Sequence, residues 1–167
     1  MVYLKPANAE DAAAEAHFLS GIPEDENGFT NPWHGCTEAE FRQSILPQML
    51  KHAQGLELQE GYVPQSSFFL WEDAHIVGLF HIRHYLNNTL RNGAGHIGAC
   101  IGKEYRGRGL GTQGLALAIE KAKKLIREDE IYLSVNRSNL ASLAIQINNG
   151  AYIHHSSREQ HFTRIRL

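Results

Sequence analysis

The chain has 167 residues, of which 43% are hydrophobic and 20% are charged, and its formal net charge is −2 at pH 7. This length suits one domain with a core of its own, so we expect residues 1–167 to form a single domain. The nearly balanced charge gives no overall field that would attract nucleic acid or an anionic membrane surface. No apolar run approaches the roughly 20 residues that cross a bilayer.

The cysteine and histidine content bounds the chemistry further. Only two cysteines are present, Cys36 and Cys100, and the amino terminus lacks the apolar stretch of a signal peptide. A disulfide framework is therefore not expected, and a reducing, cytoplasmic location is the simplest interpretation. No pair of histidines has ligand spacing on one helical face, so we expect no metal site.

The first third of the chain predicts a strand, a helix, an irregular loop and a second helix. Residues 2–4 favour the strand, and the Ala-rich residues 10–19 favour the helix. Residues 20–35 hold glycines, prolines and acids without a period, which indicates a surface loop. Thr37 and Glu40 form a capping box that opens the second helix. Its buried face is predicted at Phe41, Ile45, Met49 and Leu50.

Residues that favour strands dominate the middle of the chain. Residues 67–71 and 75–85 predict a hairpin that turns at residues 72–74. A polar loop follows at residues 87–93, and residues 95–101 predict a further strand.

The last third alternates between helical and extended patterns. Residues 111–127 carry apolar side chains at helical spacing, residues 131–135 read as a buried strand, and residues 139–149 predict a helix that Gly150 ends. Two more strands are predicted at residues 151–154 and 162–165. Antiparallel hairpins followed by a βαβ-like section indicate the mixed α/β (α+β) class.

A glycine-rich stretch, residues 102–112, separates the strand at 95–101 from the long helix. Its glycines permit a tight turn, and a turn that ends at a helix N-terminus points several unpaired N–H groups the same way. These donors and the positive end of the helix dipole predict an anion site. Arg106 and Arg108 add positive charge, so the expected ligand is the phosphate or pyrophosphate of a cofactor.

Two phosphate-binding patterns fit this stretch. Gly109, Gly111 and Gly114 satisfy G-x-G-x-x-G, the dinucleotide fingerprint, but that fingerprint should follow a strand directly, and residues 102–108 intervene. Arg106 with Gly109 and Gly111 satisfies R-x-x-G-x-G instead.

The second pattern extends along the chain. With the preceding Glu104 and Tyr105 it resembles the acetyl-CoA loop of the GNAT superfamily of N-acetyltransferases, and Asn139, Ser142 and Gly150 match the spacing of that superfamily's second motif. The resemblance covers residues 95–153 well. It implies a mixed, mostly antiparallel sheet that is flanked by helices and split at the acetyl-CoA site.

The resemblance also implies where acetyl-CoA, the co-substrate, would bind. The backbone of Cys100 and Ile101 would pair with the pantetheine arm as an added strand pairs with a sheet edge. Asn139 and Ser142 would line the opposite wall. The backbone N–H groups that would hold the pyrophosphate belong to Arg106, Gly107, Arg108, Gly109, Leu110, Gly111 and Thr112.

The sequence offers several candidates for the general acid and for the base. Many relatives carry a tyrosine seven residues after the motif asparagine, where it protonates the CoA sulfur, and here that position is Gln146. Tyr105 and Tyr152 are substitutes by residue type only. For the base we select His96, because an unperturbed imidazole accepts protons near neutral pH. The alternative for His96 is a structural histidine that is hydrogen-bonded at the start of a strand. The weaker candidates for the base are His81 and His84.

The function predicted from these residues is acetyl transfer from acetyl-CoA to an amine by direct attack in a ternary complex. The acceptor is a small-molecule or peptide amine. The loop at residues 21–35 either helps to select it, with Glu24, Asp25 and Glu26 attracting a cationic amine that Phe29 and Trp33 cover, or is a solvated acidic loop whose two aromatic residues are anchored in the core. Many relatives form dimers, so a homodimer is allowed. Two alternatives stay open, a non-catalytic acyl-CoA sensor or partner-binding module, and a nucleotide-binding oxidoreductase that uses the same glycines.

Overall fold

The computed structural model covers residues 1–167 and consists of two main β-sheets with helices on their faces. The strands are β1 (Val2–Pro6), β2 (Asp25–Glu26), β3 (Phe29–Thr30), β4 (Gln65–Glu72), β5 (His75–Arg83), β6 (Ile97–Ile101), β7 (Glu130–Asn136), β8 (Tyr152–Ser156) and β9 (Gln160–Arg166). The helices are α1 (Ala12–Gly21), α2 (Glu38–Glu40), α3 (Leu46–Ala53), α4 (Asn88–Arg91), α5 (Leu110–Leu125) and α6 (Leu140–Asn148). A π-helical turn, Phe41–Ile45, joins α2 to α3, and a 3-10 turn, Lys103–Tyr105, precedes α5.

Every ladder between these strands is antiparallel. The larger sheet has the order β1-β4-β5-β6, the smaller sheet has the order β7-β9-β8, and β2 and β3 form a separate short hairpin. One isolated bridge, between Gly95 and Leu133, links the two main sheets. The fold class predicted from the sequence is therefore confirmed, including the split between the strands that precede and follow α5.

The core lies on both faces of the larger sheet because its central strands bury both sides. On one face, Phe80 and Ile82 of β5 pack in a cluster with the apolar stripe of α5. On the other face, Leu79 packs in a cluster with α1 and the α2–α3 segment. The two clusters pack against the larger sheet from its two faces, and β5 and β6 of that sheet supply one wall of the cleft.

Three local predictions need correction. The loop at residues 20–35 contains the β2–β3 hairpin, whose turn residues Asn27 and Gly28 have φ of 53° and 84°. Residues predicted as a polar loop form α4, which the Asn87 side chain caps. Leu46 is 4% exposed whereas Leu50 is 45% exposed, because the π-helical turn adds a residue and rotates the apolar face.

None of the helices combines the length and the apolar character that a bilayer crossing requires.

Candidate functional site

A cleft of about 700 Å³ opens where the two main sheets part. β6 forms one wall, and β7 with α6 forms the other. The loop at residues 106–112 closes one end, and the β2–β3 hairpin lies along one side. The bridge between Gly95 and Leu133 marks the end at which the sheets still touch. The cleft therefore lies in the split that the sequence predicts.

The contact at the base of the split depends on a glycine and a histidine. Gly95 has a φ of +68°, and a Cβ there would lie 2.1 Å from the carbonyl oxygen of Tyr132, so no other residue fits without moving the backbone. The next residue, His96, donates its backbone N–H to the same carbonyl at 2.8 Å. Its ring nitrogen Nδ1 accepts the backbone N–H of Tyr132 at 2.9 Å.

This arrangement argues against the predicted role of His96 as the base. The residue is fully buried and does not line the cleft. Nδ1 accepts from Tyr132, so Nε2 carries the proton and donates to Glu128 at 2.9 Å. Burial lowers the pKa of His96, and Arg91 and Arg83 add to that effect against the opposing carboxylate of Glu128. No ring nitrogen is left to accept a proton from a substrate.

The glycine-rich loop presents six consecutive backbone N–H groups, those of residues 107–112, that have no hydrogen-bond partner in the protein. Gly107 and Gly109 both have a φ of +77°, and this left-handed conformation turns the chain into the first turn of α5. The first bond of the helix is made by Gln113, whose N–H donates to the Gly109 carbonyl. Such a run of free donors at the positive end of a 16-residue helix is suited to an anion.

The two arginines of the loop differ in their surroundings. Arg106 lines the cleft, donates through Nε to the Ile101 carbonyl at 3.0 Å, and forms an ion pair with Glu26 of the hairpin. Arg108 does not line the cleft, because its guanidinium pairs with both carboxylate oxygens of Glu72 at 2.8 and 2.9 Å. In this structure the Arg108 side chain is therefore bound to β4, and the backbone of Arg108 belongs to the run of free N–H groups.

The backbone groups of β6 alternate between β5 and the cleft. Gly102 donates its N–H to the Val77 carbonyl of β5. Since the bonded pairs of an antiparallel ladder recur at every second residue, Cys100 also directs its backbone groups toward β5. The groups that face the cleft are those of Ala99 and Ile101. Of the two residues predicted to offer backbone groups here, Ile101 faces the cleft, whereas the backbone of Cys100 is used in the ladder with β5.

The opposite wall contains the residues of the second predicted motif. Asn139 is the N-cap of α6, where its Oδ1 accepts the Ser142 N–H at 3.1 Å, and both residues line the cleft. Gln146 also lines the cleft, but its amide oxygen accepts a hydrogen bond from the Thr163 hydroxyl at 2.6 Å.

The C-terminus of α6 has the predicted glycine cap. Gly150 donates its N–H to the Ile147 carbonyl, has a φ of +88°, and forms the Schellman motif together with the Ala151 N–H, which donates to the Gln146 carbonyl.

The comparisons with known proteins agree with this geometry. Residues 28–145, more than two thirds of the chain, match the family model described as the acetyltransferase (GNAT) family. The chain belongs to the GNAT family. As a GNAT protein it is an acetyl-CoA-dependent acyltransferase. The family predicted from its two motifs is confirmed. No curated protein sequence matches it significantly.

Solved structures of this fold include several acetyltransferases. A GNAT acetyltransferase from Streptococcus pneumoniae has a TM-score of 0.64 and 20% identity, with 100% of this chain and 99% of that one covered. RimJ of Mycobacterium smegmatis in complex with CoA-disulfide has a TM-score of 0.69 and 19% identity, with 99% and 81% covered. The aminoglycoside acetyltransferase AAC(6')-Ib in complex with coenzyme A has a TM-score of 0.64 and 13% identity, with 99% and 95% covered. At these identities the similarity establishes the fold.

The family and the topology also decide against one alternative. A nucleotide-binding oxidoreductase with the dinucleotide fingerprint needs a doubly wound parallel sheet, whereas the ladders of this GNAT protein are antiparallel. No three histidine, cysteine, aspartate or glutamate side chains lie together as a metal ion would require.

The two tyrosines that could substitute for Gln146 by residue type lie in different surroundings. The Tyr152 hydroxyl donates to Glu130 at 2.5 Å, this bond raises the pKa of Tyr152, and the residue lies outside the cleft. Tyr105 does line the cleft, but its ring packs against the core cluster that contains α5. Of the two tyrosines, only Tyr105 therefore lies in the cleft.

The side of the cleft next to the hairpin holds His81, a weaker candidate for the base, and Arg83, which was not predicted as a site residue. His81 is 7% exposed, lines the cleft, and is bonded through Nδ1 to the Ser67 hydroxyl at 2.8 Å. The ring of Phe29 stacks on it at 5.8 Å, and Trp33 contacts it edge-on at 6.0 Å. Burial, with a smaller contribution from Arg83, lowers the pKa of His81 to about 3, so the ring is neutral at pH 7.

His84, the other weak candidate, lies outside the cleft and is bonded to the Ser66 hydroxyl at 2.8 Å. Arg83, which the sequence did not single out, lines the cleft two residues from His81. The Asn27-Gly28 pair was the one local signal of the hairpin that covers this side, since Asn-Gly is the preferred turn of a two-residue hairpin.

Proposed function

We propose that this GNAT protein transfers the acetyl group of acetyl-CoA to an amine by direct attack in a ternary complex. The observation that carries the proposal is the run of six unpaired N–H groups at residues 107–112, which opens into a cleft between diverging strands. A diphosphate needs such converging donors, and the extended arm of a coenzyme needs a free strand edge beside them. The cleft has both features, the free N–H groups of the loop and the cleft-facing edge of β6.

The coenzyme would be held by backbone groups more than by side chains. The N–H groups of residues 107–112 would bind the pyrophosphate, and the loop backbone from Arg106 would border it. The cleft-facing edge of β6 would pair with the pantetheine arm through the backbone groups of Ala99 and the N–H of Ile101, since the Ile101 carbonyl already accepts a hydrogen bond from Arg106. Asn139 and Ser142 would form the facing wall. Cys100 would contribute its side chain to the floor rather than backbone bonds.

The thioester of acetyl-CoA supplies an activated acetyl group, so the protein needs to orient the amine and stabilise the developing oxyanion. Free N–H groups on the β6 edge are suited to the oxyanion. In the reaction the amine nitrogen forms a bond to the acetyl carbon, the carbon–sulfur bond breaks, and the coenzyme leaves as a thiolate. The amine proton passes to water.

Direct attack is favoured because the cleft offers no activated nucleophile. Burial raises the pKa of Cys100 to about 12, so its thiol is protonated at neutral pH. The Cys36 thiol also has a raised pKa, chiefly through burial, and Cys36 does not line the cleft. A covalent acetyl-enzyme on a cysteine would need a thiolate at one of these two positions.

Proton transfer is expected to be simple. His81 is too weakly basic to remove a proton from an ammonium group, and His96 has no free nitrogen. Gln146 has no acidic proton to give to the thiolate. The acceptor is therefore expected to bind as the free amine, so kcat/KM should rise with pH until the pKa of the acceptor amine is reached.

Isothermal titration and a thiol-release assay test this function. Acetyl-CoA and CoA should bind at a single site, and a panel of amines should include some that release CoA thiol faster than water does. Absence of binding at millimolar coenzyme would remove the enzyme interpretation. Binding without turnover of any amine would favour the acyl-CoA sensor.

Further proposals concern the extent of the domain, the acceptor, the oligomeric state and the location of the protein. We infer that residues 1–167 form one acetyltransferase domain, since the family model reaches from residue 28 to residue 145 and the similar structures span nearly the whole chain. The acceptor is proposed to be a small-molecule or peptide amine, and a homodimer is allowed. The two free cysteines are compatible with the cytoplasmic location proposed from the sequence.

A further inference from the structure

Arg83 is a half-buried cation without a carboxylate partner. Its Nη1 donates to the Gly95 carbonyl at 3.0 Å, its other N–H groups have no partner in the protein, and no carboxylate lies within 4 Å. Burial lowers the pKa of Arg83. By contrast, Arg106 and Arg108 are each paired with a glutamate. A buried charge that lacks a counter-ion is costly, so its presence in a cleft indicates a site for an anion.

The surroundings of Arg83 form a small receptor. Arg83 and His81 are two residues apart on β5 and therefore share a face of the strand. On β6, Gly98 lies opposite His81, and a Cβ at Gly98 would meet no atom within 4 Å, so the space above it is open. The Nδ1 of the nine-tenths buried His81 is bonded to Ser67, and its Nε2 has no partner. A guanidinium and a free ring nitrogen thus border one open space.

This receptor lies at the opposite end of the cleft from the anion loop. Gly95, which anchors Arg83, and Ile101, which precedes the loop, are six residues apart, or about 20 Å along an extended strand. One phosphate group cannot reach both ends. The loop is suited to the diphosphate of the coenzyme, so the anion at Arg83 must belong to a different molecule or a different part of the complex.

The acidic hairpin does not supply this anion and does not attract a cation here. Of its acids, Glu26 lines the cleft, and its carboxylate is paired with Arg106. Phe29 covers the ring of His81 and closes the side of the receptor. The acceptor end of the cleft is therefore positively charged, which does not suit the cationic amine that one interpretation of the acidic loop allowed.

We propose that Arg83 binds a carboxylate of the acceptor, so that the substrate is an amine that carries its own carboxylate, as a free amino acid does. This inference rests on the proposed acetyl transfer and names its substrate class. The planar guanidinium matches a carboxylate with two parallel hydrogen bonds, a geometry that lysine cannot reproduce. Arg83 is then a specificity-determining residue, and His81 Nε2 is a second polar contact for the same molecule.

The test compares each of the standard amino acids with its C-terminal amide in the thiol-release assay. The wild-type protein is expected to prefer the acid of the best pair by tenfold or more in kcat/KM. Arg83→Gln should abolish that preference, mainly by raising KM for the acid, while the amide changes less than threefold. Arg83→Lys should restore part of the preference. Arg42→Gln, which removes an exposed charge far from the cleft, should leave it unchanged.

Several outcomes would overturn the proposal. Equal use of acids and amides by the wild-type protein would do so, as would an equal loss for both in Arg83→Gln when urea unfolding shows that the variant is folded. A stronger preference for amines that carry a phosphate would replace the carboxylate with another anion.

The proposed function fails separately if no amine is turned over. The carboxylate site is then decided by titrating the CoA-loaded protein with N-acetyl amino acids and with their amides. Binding of the acids alone, lost in Arg83→Gln, would support the site. Equal binding of acids and amides, or binding of neither, would contradict it.

Discussion

The backbone N–H of Tyr132 donates to Nδ1 of His96 at 2.9 Å, while the His96 N–H donates to the Tyr132 carbonyl at 2.8 Å. These two bonds join the sheets at the point from which β6 and β7 diverge. Nδ1 accepts a hydrogen bond from the backbone, so it carries no proton and the ring is neutral. The ring proton is therefore on Nε2, which donates to Glu128. A side chain thus takes the place of a carbonyl in the last rung before the cleft.

His96→Ala tests whether this residue is structural. The variant would leave the Tyr132 N–H without a partner and would remove the His96 bond to Glu128, whose carboxylate keeps the Leu86 N–H and Arg91 as partners. We therefore expect the free energy of unfolding to fall by about 1–3 kcal/mol in urea titrations. The pH dependence of kcat in the folded fraction should not change. His75→Ala, at an exposed position of β5, is the control and should be close to neutral. A lost pH limb near neutrality with unchanged stability would restore His96 as the base.

Gly95 should be the least replaceable residue at the base of the cleft. Alanine there would combine a left-handed φ with a Cβ 2.1 Å from a backbone oxygen, so we expect Gly95→Ala to lower stability by about 3 kcal/mol or more. Gly98→Ala, in the same segment but with open space at the Cβ, should stay within about 1 kcal/mol of the wild type. Equal losses in the two variants would show that the sheets are not joined at Gly95.

The anion loop can be perturbed with a matched pair of glycine variants. Gly109 and Gly61 have φ values of +77° and +82°, and neither would meet an atom within 4 Å of an added Cβ. Alanine should therefore destabilise both by a similar amount, about 1–2 kcal/mol. Only Gly109→Ala should weaken CoA binding, by about tenfold or more in isothermal titration, since it reorients the loop amides. If CoA has the same Kd for both variants, the loop amides do not bind the coenzyme.

Glu15 predicts an unusual pH dependence of stability. It is fully buried, accepts the Asn8 N–H at 3.1 Å, and has its pKa raised to about 8, chiefly by burial. Between the unfolded pKa near 4.5 and the folded pKa near 8, the folded state holds the extra proton. This contribution to stability is therefore complete below pH 4.5 and is lost as the pH rises to 8.

Glu15→Gln keeps the uncharged form at every pH. We expect it to exceed the wild type in unfolding free energy by about 2–4 kcal/mol at pH 8 and to match it within about 1 kcal/mol at pH 5. Glu10→Gln, at an exposed position, should show no such pH-dependent gain. A constant difference between Glu15→Gln and the wild type from pH 5 to pH 8 would contradict the raised pKa.

Local patterns in the sequence were sufficient for the order of the longer strands and helices and for the glycine-rich turn before α5, but not for the β2–β3 hairpin or for α4. That turn was predictable because its glycines, its arginines and the helix that follows are contiguous in the chain. Asn27 and Gly28 are a turn signal for the hairpin, although a loop was expected.

Long-range partners explain the remaining differences. His96 has its partners Tyr132 and Glu128 at separations of 36 and 32 residues, so nothing beside it in the sequence shows that both ring nitrogens are used. Arg108 is withdrawn from the cleft by Glu72, 36 residues earlier. The choice of Ala99 over Cys100 depends on the register between β5 and β6, which the sequence of one strand does not contain.

The most direct test of the account is an amide-resolved NMR titration of the ¹⁵N-labelled protein with CoA, and with pantetheine, which lacks the diphosphate. CoA should move the backbone amide signals of residues 107–112 more than any others, and pantetheine should move those of β6 while it leaves the loop signals in place. If CoA binds and the loop amides stay unchanged, the diphosphate is held elsewhere and the proposed function loses its main support.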